Sequence, residues 1–265
     1  MMGEIRIRSL KGIDFDVMAE AFNDAFSDYN IPARYTTEYL RDLVTRRGYR
    51  PDLAVGAFDG GRLVGFVFNC VDGDAAYNSG TGTAISHRRR GIARQLMQRS
   101  IETLPVKRYI LEVIESNERA AALYRELGFT ETRRLQCWTY DGGSSPLPAA
   151  SVELDTIASW CDMTPTWQNS VASIRRSLEP YAIVGDERGA AVVFPSTGDV
   201  PLLAVPPIHR RQGRGRALLA AAHAAAGRRL RVMNIDDGAK GIEAFLEACG
   251  AQRMVRQVEM VCELG

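Results

Sequence analysis

The sequence lacks the features of a membrane-spanning, secreted or metal-binding protein. Its five cysteines are scattered along 265 residues, with no Cys-x-x-Cys pair and no histidine at the spacing of metal ligands. No run reaches the roughly 18 apolar residues of a membrane span, and residues 1–10 alternate in polarity, unlike the apolar core of a signal peptide. We therefore expect reduced thiols, a cytoplasmic location, no metal and no membrane partner.

The chain also lacks a strong overall charge. Its formal net charge is only +1, which gives no global electrostatic argument for nucleic-acid binding. Hydrophobic residues make up 46% and charged residues 25%, as is typical of a soluble globular protein, and the length suffices for two domains. The total number of basic residues is therefore uninformative, whereas the places where they cluster in the sequence are informative.

One basic, glycine-bearing segment occurs twice. Residues 88–93 read RRRGIA and residues 210–215 read RRQGRG, and each segment opens a helical pattern. The two segments lie 122 residues apart, and the same interval separates Gly128 from Gly250, which each follow a later helical pattern. One interval that holds through a turn, a helix, a strand and a second helix indicates an internal duplication.

The order of predicted elements indicates an α/β fold of the α+β type, with a mixed sheet. In the first half, a strand and two helices precede three strands joined by Asp-Gly turns, and helix, strand, helix and strand follow. This order predicts a mostly antiparallel sheet with helices on both faces. A Gly-, Ser- and Pro-containing linker at 141–150 divides the chain into a first domain, 1–140, and a shorter second domain, 151–265.

The repeated segment has the chemistry of an anion site. Gly91 and the small Ala93 let an anion approach backbone amides at the start of a helix, where pyrophosphate is a natural guest and arginines supply further donors. It is not a Walker loop, because no Gly-Lys-Ser/Thr follows, and it lacks the third glycine of a dinucleotide fingerprint. A nucleic-acid patch and a solvated run of charges remain as alternatives.

Two ordered blocks in the first half carry a family resemblance. They are Arg88-x-x-Gly91-x-Ala93 and, after Leu111-Glu112-Val113, the block Asn117-x-x-Ala120-x-x-Leu123-Tyr124-x-x-Leu127-Gly128-Phe129. This pattern resembles the GNAT superfamily of acyl-CoA-dependent N-acetyltransferases. The second half looks like a further GNAT domain, and the whole chain is similar to tandem-GNAT acetyltransferases, including the segments 25–29 and 167–170.

The resemblance implies how acetyl-CoA is held. The strand before the basic turn would diverge from the strand after the next helix, with pantetheine filling the gap and the amides of the turn holding pyrophosphate. Asn117 would reach the pantetheine arm. The implied cofactor-binding residues are Thr83, Arg88, Arg89, Arg90, Gly91, Ile92, Ala93 and Asn117.

The resemblance also implies the chemistry. An amine attacks the thioester directly in a ternary complex, a base or water chain takes its proton, and an acid helps the thiolate to leave. Tyr124 matches the residue that commonly acts as the acid. Glu112 matches the base proposed in ribosomal-protein alanine acetyltransferases, with Asp72 and Asp74 as other candidates. Packing on a helix face is the alternative reading of Tyr124.

The second copy departs from the first at the chemical positions. The interval of 122 residues places Leu246 opposite Tyr124, Asn234 opposite Glu112 and Ala239 opposite Asn117. A leucine cannot donate a proton. We therefore expect a degenerate second domain that retains at most a second anion site, formed by Arg210, Arg211, Gly213 and Gly215.

The acceptor is the least constrained part of the sequence-based prediction. We expect the primary amine of a small molecule, in a pocket walled by the helices of residues 15–46, with Tyr29, Asn69 and Tyr77 as lining candidates; packing roles explain these three equally well. Protein or peptide amino-terminal acetylation and a non-catalytic acyl-CoA-binding sensor or scaffold remain as alternatives. We expect a monomer or homodimer that binds no nucleic acid.

Overall fold

The computed structural model describes residues 4–28 and 34–265, which form two compact units. Each unit is assembled from more than one segment of the chain. The first comprises the described residues of Met1–Val113 together with Asn117–Thr132 and Met260–Gly265, and the second comprises Ile114–Ser116 and Arg133–Glu259.

The first unit is a sheet with four helices. Its helices are α1 (Phe15–Ala25), α2 (Thr37–Arg46), α3 (Ile92–Thr103) and α4 (Glu118–Glu126). Its strands are β1 (Arg6–Ser9), β2 (Val55–Asp59), β3 (Arg62–Asp72), β4 (Ala75–Thr83) and β5 (Arg108–Ile114), and they follow one another in that order across the sheet. The first four strands pair antiparallel, whereas β4 and β5 pair parallel.

Local sequence explains where these helices begin. The Thr36 side chain accepts a hydrogen bond from the amide of Tyr39 and so caps α2, as expected from a threonine before a helical pattern. Helix α3 begins after Gly91, whose φ of 74° lies in the left-handed region that glycine enters without strain. The core beneath the helices is formed largely by Phe66 and Phe68 of β3 with apolar side chains of α1 and α2.

The second unit contains the remaining elements. Its helices are α5 (Leu154–Ser159), α6 (Val171–Arg175), α7 (Arg214–Ala226) and α8 (Lys240–Ala248). Its strands come from β6 (Thr130–Tyr140), β7 (Ala182–Asp186), β8 (Gly189–Phe194), β9 (Asp199–Ala204), β10 (Leu230–Asp236) and β11 (Gln252–Glu263), in the spatial order β11, β6, β10, β9, β8, β7. Strands β5, β6 and β11 each contribute residues to both units.

The predicted fold class is confirmed, since the elements form a mixed α/β fold of the expected kind. The duplication is visible in the element boundaries, because α7 starts 122 residues after α3, α8 starts 122 residues after α4, and β10 starts 122 residues after β5. Before α6 the chain forms a 3-10 turn at Trp167–Asn169. The division of the chain into 1–140, 141–150 and 151–265 stays a prediction.

Among the described residues, no helix combines the length and the apolar character that crossing a membrane requires.

Candidate functional site

The parallel strands β4 and β5 diverge at one end. Their pairing runs from Ala75 opposite Arg108 to Asn78 opposite Leu111. Beyond that point β4 continues to Thr83 and β5 to Ile114 without pairing with each other. Unpaired strand edges leave backbone donors and acceptors open, so an extended ligand arm can bind between them. The divergence is the one that the family resemblance implies.

The basic turn lies directly after the diverging end of β4. Arg89 and Gly91 both have positive φ, 61° and 74°, which turns the chain sharply into α3. Within the described part of the chain, the amides of Gly91, Ile92 and Ala93 have no hydrogen-bond acceptor. Three such amides at the start of a twelve-residue helix form a donor set suited to phosphate oxygens.

Arg88 is partly buried and hydrogen-bonded to neighbouring elements, whereas Arg89 is exposed. Its Nη1 donates to Asp28 Oδ2 at 2.6 Å, its Nη2 to Ala25 O at 2.8 Å, and its Nε to Thr83 O at 3.4 Å. The hydrogen bond from Arg88 also holds the pKa of Asp28 below its ordinary value. Arg88 therefore fastens the turn to the end of α1 and to β4, a role that the sequence pattern did not reveal.

The turn opens onto a cavity of about 530 Å³ in the first unit. The cavity brings together most of the predicted cofactor-binding residues with the predicted acid: Thr83, Arg88, Arg89, Gly91, Ile92, Ala93, Asn117 and Tyr124. The half-buried Arg90 is not among the lining residues. The buried Thr83 Oγ1 has no hydrogen-bond partner among the described residues, so a ligand can engage it.

Asn117 and Tyr124 reach the cavity from opposite ends of α4. Asn117 Oδ1 accepts from the amide of Ala120 at 3.2 Å and thereby caps the helix. Tyr124 is 8% exposed, and its ring packs against Phe129 with centroids 5.8 Å apart. The packing fixes the ring of Tyr124, while the cavity gives a bound ligand access to this residue.

Glu112 occupies β5 one residue beyond the last residue paired with β4. Its Oε2 accepts a hydrogen bond from Tyr77 Oη at 2.9 Å. Tyr77 is 3% exposed, and burial together with the nearby Glu112 raises its pKa well above the ordinary value, so its phenol stays a donor. Glu112 is not among the residues that line the cavity.

Tyr77 thus supports Glu112 in this structure, whereas the sequence predicts for it either a substrate-lining or a packing role. A neighbouring cation, Arg47, was missed by sequence reasoning. Its Nη1 donates to Ser79 O at 3.1 Å and to Ser79 Oγ at 2.9 Å, just where β4 leaves β5. No local pattern marks Arg47, because its place depends on how α2 packs on the sheet.

The other two acceptor-lining candidates have different outcomes. Asn69 is fully buried, its Nδ2 donates to Leu53 O and to Ser100 Oγ at 2.9 Å, and its Oδ1 accepts from the hydroxyl of Tyr109. This network joins β3, α3 and β5 in the core, so Asn69 has a packing role as placed. Tyr29 lies outside the described residues.

The buried network makes a stability prediction. We expect Asn69→Ala to lower the free energy of unfolding by about 2 kcal/mol, because it leaves buried hydrogen-bonding groups of Leu53 and Tyr109 without this partner. Urea unfolding followed by circular dichroism measures the change. The exposed substitution Gln95→Ala is the control, and an Asn69→Ala midpoint equal to that of the control would contradict the structural assignment.

The second unit repeats the turn in detail. Arg211 and Gly213 have φ values of 61° and 78°. Arg210 makes the same kinds of contact as Arg88: its Nη1 donates to Asp162 Oδ1 at 2.7 Å, its Nη2 to Trp160 O at 3.0 Å, and its Nε to Val205 O at 2.7 Å. The duplication therefore preserves the conformation of the turn and its attachment to the preceding elements.

The chemical positions of the second unit are different. Its turn opens onto a cavity of about 630 Å³ that is lined by Leu246 and Asn234 at the positions equivalent to Tyr124 and Glu112. Asn234 is fully buried with φ of 60°, and its Nδ2 donates to Thr166 Oγ1 at 3.4 Å. Neither unit offers a metal site: across residues 4–28 and 34–265, no cluster of three His, Cys, Asp or Glu side chains is suited to hold an ion.

Comparison with known proteins identifies the first unit's architecture. Residues 15–129 match the model of the acetyltransferase (GNAT) family. No match was found among curated proteins.

Several solved structures share the fold over nearly the whole chain. A putative acetyltransferase from Pyrococcus horikoshii is 16% identical, with a TM-score of 0.74 over 98% of this chain and 89% of that chain. A GCN5-related N-acetyltransferase from Sphaerobacter thermophilus is 14% identical, with a TM-score of 0.69 over 98% and 96% of the two chains. A tandem GNAT protein from the clavulanic acid biosynthesis pathway is 18% identical, with a TM-score of 0.69 over 99% of each chain. The fold is therefore that of tandem GNAT proteins.

Proposed function

We propose, from the match of residues 15–129 to the acetyltransferase (GNAT) family model, that the first unit transfers an acetyl group from acetyl-CoA to the primary amine of a small molecule. The observation that carries the proposal is that the end of β4 that diverges from β5, the donor-rich turn and Tyr124 all border one cavity. The amine attacks the thioester directly, so the reaction needs no covalent enzyme intermediate.

The donor set fits an acyl-CoA. The amides of Gly91, Ile92 and Ala93 bind pyrophosphate oxygens, and the exposed Arg89 adds a charged donor. Thr83 at the end of β4 offers its unpartnered hydroxyl to the arm of the ligand. Acetyl-CoA supplies the activated acetyl group as a thioester, and these residues hold it in place for attack.

Glu112 is the proposed base. An amine attacks only through its neutral form, so a proton acceptor beside the diverging strands is required. Glu112 belongs to β5 and follows directly after Leu111, the last residue that pairs with β4. The hydrogen bond from Tyr77 fixes the orientation of its carboxylate. Glu112 takes the proton from the amine nitrogen directly or through one water.

Tyr124 is the proposed acid. Its hydroxyl donates a proton to the sulfur of the departing thiolate while the ring is held by Phe129. Tyr124 borders the same cavity as the pyrophosphate-binding turn. This position suits an acid that acts on the sulfur, which lies at the end of the ligand arm away from the pyrophosphate.

Aromatic side chains of α1, of α2 and of the segment just before α2 are the proposed wall for the acceptor. Phe22 stacks on Tyr35 with centroids 4.6 Å apart, and Tyr35 meets Tyr39 edge-on at 4.7 Å. All three are partly exposed, so they offer apolar contacts to a small acceptor beside the diverging end of β4. Two nearby acidic side chains are paired with arginines, since Asp24 of α1 binds Arg62 and Asp28, three residues after α1, binds Arg88.

Thiol release from acetyl-CoA tests the proposal directly. The purified protein is assayed against panels of small primary amines, aminoglycosides and short peptides. Acceptor-dependent release with a small amine, accompanied by the N-acetylated product, is the expected result. Release only with peptides would replace the small-molecule acceptor by a protein amino terminus, and binding of acetyl-CoA without any release would leave an acyl-CoA sensor.

A charge-removing variant tests the role of the turn. We expect Arg89→Asn to raise the KM for acetyl-CoA about tenfold and to leave kcat unchanged, because a charged donor to phosphate is lost far from the reacting atoms. Asparagine tolerates the positive φ of this position, so the turn is preserved. Arg211→Asn, at the equivalent position of the second unit, is the matched control with an unchanged KM, and equal effects of the two changes would refute the assignment.

A further inference from the structure

Arg47 brings a positive charge close to the proposed base. It follows α2 directly and is half-buried, and its guanidinium carbon lies 5.9 Å from the ring centroid of Tyr77. The hydroxyl of Tyr77 in turn donates to Glu112 Oε2 at 2.9 Å. A cation and an anion therefore lie beside the same tyrosine side chain.

The guanidinium and the base belong to the two arms of the diverging strands. The pairing of β4 with β5 ends at Asn78 and Leu111. Ser79 and Glu112 are the next residues along the two strands. The Nη1 of Arg47 donates to Ser79 Oγ at 2.9 Å and to Ser79 O at 3.1 Å. Arg47 is thus held at one arm, and Glu112 is part of the other.

The guanidinium of Arg47 stays charged in this place. Burial acts to lower the pKa of Arg47, but the neighbouring Tyr77 and Glu112 act to raise it, and the pKa lies above its ordinary value. A guanidinium has five N–H donors in a planar fork that matches the geometry of a carboxylate. Arg47 can therefore donate to Ser79 and to the carboxylate of a ligand together.

The aromatic wall lies near the same cation. Tyr35 is another group that acts to raise the pKa of Arg47, so its hydroxyl is close to the guanidinium. Tyr35 stacks on Phe22 with ring centroids 4.6 Å apart and meets Tyr39 edge-on at 4.7 Å. All three side chains are partly exposed, so they offer an apolar surface to a ligand that reaches Arg47.

The charges of this place suit a carboxylate better than a phosphate or a peptide. Arg47 balances the single negative charge of a carboxylate, whereas a phosphate would bring additional negative charge toward Glu112. A peptide has a neutral amide next to its terminal amine and would give the guanidinium no charged partner there. A free amino acid has both groups that the place complements, a carboxylate for Arg47 and an amine for Glu112.

From this arrangement we infer that the acceptor is a free α-amino acid with an apolar side chain, whose carboxylate binds Arg47 and whose amine meets Glu112. The inference rests on the proposed acetyl transfer and names its acceptor. The nitrogen of the neutral amine bonds to the acetyl carbon as the C–S bond of the thioester breaks, and one proton passes overall from nitrogen to sulfur. The products are an N-acetyl amino acid and CoA.

Matched acceptors test the inference on the wild-type protein. Phenylalanine and leucine carry the carboxylate, their amides replace it by a neutral group, and phenethylamine and isopentylamine lack it. Thiol release from saturating acetyl-CoA gives kcat/KM, which is referred to the neutral amine because these amines differ in pKa. We expect a value about thirtyfold higher for the amino acid than for its amide or amine in at least one series, because only the carboxylate forms charge-assisted hydrogen bonds to Arg47. Mass spectrometry identifies the N-acetyl amino acid.

The two ways in which this test can fail are distinguishable. Release with the amines or amides that equals or exceeds release with both amino acids overturns the inference and leaves acetyl transfer to small amines in place. Absence of release with every amine, including the wider panel, removes the acetyl transfer and the inference with it.

Arg47→Gln tests where the carboxylate binds. We expect this change to reduce the preference for the amino acid over its matching amine about thirtyfold, because the charged donor is lost. A general loss of structure or of acetyl-CoA binding lowers both rates alike, so the ratio isolates the carboxylate contact. Arg50→Gln is the control with an unchanged ratio, since Arg50 is exposed and paired with Asp52. An unchanged preference in folded Arg47→Gln overturns the inference.

Two milder variants keep the test decisive if Arg47→Gln does not fold. Arg47→Lys keeps the charge but loses the planar fork, so it should retain part of the preference. Ser79→Ala removes the hydroxyl that holds Nη1 of Arg47 and should lower the preference severalfold. Circular dichroism confirms that each variant is folded. A wild-type preference in both variants would show that the carboxylate is bound elsewhere.

Discussion

Replacing Glu112 with glutamine is expected to lower kcat for acetyl transfer about a hundredfold, which is within the usual contribution of a positioned base. Glutamine keeps the size of the side chain and an oxygen that can accept from Tyr77, but it cannot take the proton of the attacking amine. The KM for acetyl-CoA should change little, because Glu112 is not among the residues around the cavity that contains the turn. Steady-state thiol release with the best amine measures both constants.

The pH profile separates this explanation from simple misfolding. Without the base, the rate of Glu112→Gln depends on the fraction of amine that is already neutral, so the deficit should shrink as pH rises toward the pKa of the acceptor amine. Tyr77→Phe is the matched control: it keeps the carboxylate but loses the hydrogen bond that orients it, and a smaller deficit is expected. A wild-type kcat for Glu112→Gln across this pH range would exclude Glu112 as the base.

The sequence is most informative about local features of the site. The basic turn, its glycine and the following helix could be predicted because a few adjacent residues determine them, and the structure has Gly91 at positive φ directly before α3. The repeat could be predicted because Arg211 and Gly213 keep the spacing of Arg89 and Gly91. Such features depend on chain geometry within one turn of helix.

Long-range packing explains what the sequence did not reveal. Asn69 and Tyr77 both lie in strands with polar side chains, yet one belongs to a buried network with Ser100 and the other binds Glu112. Which partner each meets is decided by strand register, and register is set by residues far apart in the chain. Sequence patterns do not reveal this register, so they predict the same acceptor-lining role for both residues.

Long-range packing also determines which segments of the chain belong to each unit. Residues 260–265 belong to the first unit, where the amide of Leu264 donates to Lys107 O at 2.7 Å. The sequence of β11 contains no information about which strand lies beside it, because the edges of different strands present the same backbone groups. Amino-acid composition alone predicts only a domain boundary at the linker of residues 141–150.

Replacing Tyr124 with phenylalanine is expected to lower kcat about a hundredfold, because the departing thiolate loses its proton donor. Phenylalanine preserves the packing against Phe129 at 5.8 Å, so the free energy of unfolding and the KM for acetyl-CoA should stay close to those of the wild type. Thiol release and product formation, measured in parallel, give kcat for the chemical reaction.

A second tyrosine whose ring also contacts Phe129 provides the control for Tyr124. Tyr109→Phe also removes a buried hydroxyl, but that hydroxyl binds Asn69 in the core and does not line the cavity. It should lower stability while leaving kcat near the wild-type value, the reverse of the Tyr124→Phe result. Equal kcat values for Tyr124→Phe and the wild type would show that the thiolate leaves without help from this residue. Such a result would mean that solvent, and not a side chain, protonates the departing thiolate.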